Sequence, residues 1–288
     1  MSIMSDRIPV ADALRLEVKK APGGSKTPVL CLPGLTRNAA DFDDVLTEVA
    51  GTERDVYALS FRGRGRSDRD PQPARYQPAT YAADVVAAMD ALDMPRAVFI
   101  GTSLGGLVTA LVNEAAPDRV VAAVINDIGP RFAAEGIARI IAYVTDADAR
   151  GAFEPAPFET AIARIKAING VAFPDADAAF WETFARRTYD EGPDGWTPAY
   201  DSAIADAFGQ EQAPIDIAGA FAALAGTPTL LVHGAISDLL DDEIVAEMRA
   251  VDPAMRYCRV ENVGHAPTLS EPAAREPIAA FVREVAPD

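Results

Sequence analysis

Short unbroken apolar runs alternate along this chain with longer stretches whose apolar residues recur every three or four positions. The unbroken runs cover 28–32, 56–59, 97–100, 120–125 and 229–232. Residues 255–260 complete the set, although Arg256 and Arg259 interrupt them and place that run nearer a sheet edge. Runs without alternation suit strands covered on both faces, as in a parallel sheet between helices. One earlier segment, 15–19, does alternate and predicts a half-solvated strand paired with residues 8–11. Helical stretches are predicted over 40–50, 79–92, 104–116, 241–250 and 272–285. The alternation predicts an α/β fold: a doubly wound, mostly parallel, eight-stranded sheet with right-handed crossovers.

The pattern breaks between Pro130 and Gly226. That stretch holds helical segments at 137–144, 158–168, 178–189 and 217–224, punctuated by prolines, and no clear strand-like run. Strand-like runs then resume, so an insertion fits better than a tandem domain. The expected organisation is a core of residues 1–130 and 227–288, with a helical cap, 131–226, inserted after the sixth strand and lying over the sheet's carboxyl edge. The aromatics Phe158, Trp181, Phe184, Trp196 and Tyr200 either line a pocket beneath that cap or pack its helices together.

Composition narrows the function. Of 288 residues, 49% are hydrophobic and 24% charged, which is ordinary for a globular chain and excludes disorder. The formal charge of −17 opposes binding to phosphate backbones or anionic lipid, so neither nucleic acid nor membrane is expected as a partner. No signal-like or membrane-spanning apolar run occurs. The two cysteines, Cys31 and Cys258, lie in strand-like runs and read as buried free thiols of a cytoplasmic protein. No metal or cofactor is expected, and a small-molecule substrate is. With two histidines in the chain, any histidine chemistry falls to His233 or His265.

Gly101-Thr102-Ser103-Leu104-Gly105 joins an apolar strand to an Ala/Leu/Val-rich helix, the setting that a G-x-S-x-G elbow requires. Glycines either side of the serine give a tight turn room, and the turn lifts the hydroxyl above the sheet. A serine hydroxyl needs a base to take its proton. His265, between the last strand and the last helix, opens at the same carboxyl edge, whereas His233 lies within a strand and reads as a packed residue. A carboxylate must then hold the histidine's tautomer. Asp238, in the loop after the 229–232 strand, is the favoured acid; Asp127, at the end of the preceding strand, is the alternative. Asp241 and Asp242 read as caps of the following helix. For an oxyanion, the N–H of Leu104 at the helix start and that of Leu35, after the turn Pro33-Gly34, are the candidate donors.

The order Ser103, Asp238, His265, with Pro33-Gly34-Leu35, the run 61–68 and Gly264-His265-Ala266-Pro267, resembles the α/β-hydrolase superfamily over nearly the whole chain. The resemblance implies a metal-free serine hydrolase with a cap. It also implies a structural role for the arginine–glycine run, in which Arg62 and Arg66 are not a phosphate grip. Dehalogenases and epoxide hydrolases of this fold carry an aspartate at the elbow; serine here points to acyl chemistry. The expected activity is cleavage of a small-to-medium carboxylic ester through an acyl-enzyme. The alternative is a carbon–carbon or enol-lactone hydrolase using the same triad. The 131–226 stretch, with seven Lys/Arg against fifteen Asp/Glu, favours the ester, because a dienoate needs a fixed cation; Arg139, Arg186 and Arg187 are the candidates for one. A binding protein on the same scaffold with a silent triad is a third, remoter reading.

Overall fold

The computed structural model describes residues 2–49, 53–146, 151–208 and 214–285. β1 (Met4–Pro9) pairs antiparallel with the first part of β2 (Arg15–Leu32), as the alternation at 15–19 predicts. β2 is long and bent. Its first part pairs with β3 (Arg54–Leu59), Val18 opposite Leu59 and Ala21 opposite Val56. Beyond irregularities between Ala21 and Val29 the register runs back along β3, with Val29 opposite Val56 and Cys31 opposite Ala58. One strand thus serves two places. The eight runs seen in the sequence therefore form a seven-stranded sheet, because the residues between two of them stay extended instead of breaking into a loop.

From β2 the sheet continues in parallel through β4 (Ala97–Thr102) and β5 (Val120–Asn126). Helices α1 (Asp43–Val49), α2 (Pro78–Ala91) and α3 (Leu104–Ala115) connect this half. Ala50, expected as the end of the first helix, lies outside the described residues. After β5 the chain leaves the sheet for α4 (Ala134–Thr145), α5 (Phe158–Asn169) and α6 (Ala178–Thr188). A hairpin of β6 (Tyr189–Gly192) and β7 (Gly195–Pro198) follows, then α7 (Ile204–Phe208) and α8 (Ile217–Ala222). β8 (Thr229–Gly234) returns beside β5, and β9 (Arg256–Val260) closes the sheet in parallel, with α9 (Asp242–Val251) and α10 (Pro272–Val285) following them. β9 is an edge strand, and Arg256 and Arg259 sit exposed on it.

Successive residues of a strand point to opposite faces, and here both faces are covered. Leu30, Phe99 and Ile125 enter one apolar cluster with α2 and α3, while Val29, Cys31, Val98 and Val124 enter the other with α10. That double burial is why these runs lack alternation. A third cluster, built from Ile165, Phe173, Trp181 and Phe184, belongs to the inserted segment. Its flanks do not stay apart: Val144, Ile204, Phe221 and Leu224 pack into the cluster on the α3 face. Among the described residues no helix is long and apolar enough to cross a membrane.

Candidate active site

The elbow forms at the end of β4. Ser103 takes φ 51°, ψ −118°, a left-handed backbone that a serine adopts only where its surroundings force it. The force comes from the glycines: a Cβ on Gly101 would meet the Gly105 carbonyl, and one on Gly105 would collide with the carbonyl of Leu32 in β2. The Ser103 N–H donates to the Asn126 carbonyl at 2.9 Å, which ties the elbow to the end of β5. The hydroxyl then lies 2.8 Å from Nε2 of His265.

The acid is Asp127. Its Oδ2 lies 2.8 Å from Nδ1 of His265, and its side chain is fully buried. An ionised carboxylate only accepts, so Nδ1 carries the proton and Nε2 accepts from the serine. Asp127 is itself held by the Gly234 N–H on Oδ1 at 2.7 Å and the Ser237 hydroxyl on Oδ2 at 2.6 Å. The favoured candidate Asp238 is not on the histidine. It forms a two-point pair with Arg139 of α4, Nε to Oδ2 at 2.5 Å and Nη2 to Oδ1 at 2.9 Å. Burial pushes the Asp238 carboxyl up, but the Arg139 guanidinium outweighs it and holds the group below the usual carboxylate range. The reason for the exchange lies in the sheet register. Thr102 pairs with Asn126 across β4 and β5, so Ser103 and Asp127 leave adjacent strands side by side, whereas the Asp238 peptide turns away to accept the Gly136 N–H of α4.

Sequence reasoning missed the partners of Asp127. Gly234 ends β8 and Ser237 follows in its loop, with no local signature, since their target lies more than a hundred residues earlier. Asn126 was likewise missed: its side-chain amide donates to the Pro267 carbonyl at 2.8 Å and so anchors the histidine loop. His233 is the packed residue expected, bracketed by the Leu240 carbonyl and the Tyr257 hydroxyl at 2.8 Å each. Asp241 caps α9 through the Ile244 N–H. Arg62 is buried among Asp84, Asp70 and Asp12, a structural hub.

A cavity of about 780 Å³ opens above Ser103 and His265, and Leu35 and Leu104 share its wall. The Gly34 turn lies beside the serine, since a Cβ there would stand 3.8 Å from Ser103 Cβ. The buried Arg64 donates from Nε to the Leu35 carbonyl at 2.8 Å and fixes the peptide that follows the turn. Of the five aromatics singled out, Phe184 faces this cavity, together with Phe173 and Phe180. Phe158 and Trp196 pack on each other with centroids 4.5 Å apart, and Trp181 fills the inserted segment's own cluster. Every arginine on the described cavity wall is matched by a carboxylate: Arg37 by Asp41, Arg139 by Asp238 and Arg187 by Asp44. Arg186, off this wall, stacks on Phe158.

A sequence profile described as alpha/beta hydrolase fold matches residues 27–272. The chain belongs to that family. As a member of it the protein is an enzyme whose relatives are hydrolases. It is 32% identical over 255 residues to the 3-hydroxybutyrate-oligomer hydrolase of Cupriavidus necator, covering 85% of this chain and 84% of that protein. It superposes with a TM-score of 0.88 on an alpha/beta hydrolase from Novosphingobium aromaticivorans, at 36% identity and with 98% of each chain covered. A shorter match, 31% identical over 106 residues, joins this hydrolase to an Escherichia coli esterase across 37% of this chain and 40% of that one.

Proposed function

We propose that this enzyme cleaves carboxylic esters through an acyl-enzyme on Ser103. The observation that carries the reading is the unbroken hydrogen-bond chain from Ser103 through His265 to Asp127 at the floor of an apolar cavity. In the first half-reaction the Ser103 oxygen attacks the ester carbonyl while His265 Nε2 takes the hydroxyl proton. Asp127 keeps the imidazolium oriented, and the N–H groups of Leu35 and Leu104 receive the oxyanion. His265 then returns the proton to the departing alkoxide, and the acyl–serine ester remains. Water, deprotonated by the same nitrogen, attacks that ester; the acid leaves and Ser103 regains its proton.

The alternative of carbon–carbon or enol-lactone hydrolysis asks for a free cation near the reacting bond. The paired state of Arg37, Arg139 and Arg187 favours the ester instead. Short aliphatic oligoesters, the class named for the Cupriavidus relative, belong among the substrates to assay. The buried thiols Cys31 and Cys258 suit a reducing cytoplasm. A fluorophosphonate probe followed by mass mapping tests the nucleophile. The label is expected on Ser103 and is expected to vanish in Ser103→Ala. A matched assay then compares p-nitrophenyl butyrate with a 2-hydroxy-6-oxo dienoate and an enol-lactone acid. The butyrate should show the higher kcat/KM, and the opposite order would overturn the ester reading.

A further inference from the structure

A second cavity of about 600 Å³ adjoins the catalytic one and shares Thr36, Arg37, Tyr143 and Asn169 with it. Thr36 and Arg37 follow Leu35 on the same turn, so the second chamber begins just beyond the wall that carries the candidate oxyanion donor. Thr36 Oγ1 and Tyr143 Oη, both on the shared wall, lie 3.2 Å apart. The two chambers differ in charge. The catalytic chamber's arginines are each neutralised by a carboxylate. Arg164 of α5, half-buried on the wall of the second, donates to carbonyl oxygens: Ala152 at 2.9 Å, Glu154 at 3.3 Å and Gly151 at 3.4 Å. Among the described residues no carboxylate pairs with it, and Asp146, on the same wall, has a partner of its own. Ile165, Ile168 and Pro198 supply apolar wall in the same chamber as Arg164. The chamber therefore combines apolar wall with a guanidinium that no carboxylate among the described residues pairs with, a chemistry suited to a carboxylate ligand.

We propose that this second chamber receives one arm of the substrate and that Arg164 binds a carboxylate at its end. The substrate class is an aliphatic ester with a terminal acid remote from the scissile bond. The proposal rests on the ester-hydrolase reading, and its test separates the two. In the Ser103→Ala variant, which retains intact ester, calorimetry compares the linear trimer of 3-hydroxybutyrate as free acid with its methyl ester. The acid should bind on the order of 10-fold more tightly, the scale of one charge-assisted pair in a half-solvated site. Adding Arg164→Leu should bring the two ligands together, while Arg164→Lys should keep part of the preference. Lys166→Leu, which removes the same charge from an exposed position on α5, should leave the ratio as it was. Equal binding of acid and methyl ester before any change at Arg164 would overturn the proposal. So would an Arg164→Leu loss shared equally by both ligands. Wild-type enzyme that binds the acid preferentially and cleaves neither trimer would instead overturn the ester reading and leave the carboxylate site standing.

Discussion

Asp127 and Asp238 carry the same functional group, and position alone separates them. Asp127 is fully buried, touches the histidine and is braced by two donors; Asp238 is spent on Arg139. Asp127→Asn should therefore lower kcat by about 10⁴, the effect expected when the histidine is held in the wrong tautomer. Asp238→Asn should cost kcat less than about tenfold, since it reaches the histidine only through space. Steady-state kinetics on p-nitrophenyl butyrate decides between them, and the reverse ranking would return the acid to Asp238. Ser103 and His265 were legible in the sequence because each sits in a short motif whose geometry is local. The carboxylate that meets the histidine was not, because the choice depends on which strand end the histidine loop crosses, and that is fixed by pairing between β4, β5 and β8.

At the scale of elements, the elbow depends on close approach between β4, α3 and β2. A Cβ on Gly105 has nowhere to go except into the Leu32 backbone, which is paired in the sheet with Gly101 of β4. Gly105→Ala should cost roughly 1–3 kcal/mol of stability, the range for forcing a methyl into a filled interior, and activity should fall with it. Gly151→Ala is the matching control, because a Cβ there meets nothing within 4 Å. Urea unfolding of the two variants checks the contrast, and equal midpoints would show that the elbow yields more easily than its contacts imply. Two other features of the elements show the reach of pattern reading. The β6–β7 hairpin was absent from the helical reading of the insert, although Gly192-Pro193-Asp194-Gly195 is a turn signal between its strands. Its four-residue strands are too short to develop an alternating pattern. Conversely, the bend in β2 left an alternating segment, 15–19, and an apolar run, 28–32, that looked like separate strands.

Over the whole molecule, the cavity above Ser103 is bounded in part by the inserted segment, which is fastened to the loop after β8 at particular points. One fastening is α4, which lies on the loop after β8. Backbone bonds join Ala133 to Leu239 and Gly136 to Asp238 at 2.9 Å each, and the Arg139–Asp238 pair adds charge to the same seam. Asp238 is held below its ordinary range in the folded state, so the sign of its linkage is fixed. Its contribution is fully present above the unfolded carboxyl's value, about 3.9, and is lost as pH falls through the lower folded value. Asp238→Asn should then lower stability near neutral pH by on the order of 1 kcal/mol, the scale of a partly screened ion pair. Other carboxylates also titrate in acid and shift both proteins together, so the informative quantity is the gap between wild type and variant. That gap should be constant from neutral pH down to about pH 5 and should close below about pH 4. Chemical unfolding midpoints at a series of pH values measure it. A gap that persists undiminished in acid would mean that the asparagine disturbs the packing of α4 rather than removing a charge, and that the seam is held by its backbone bonds alone.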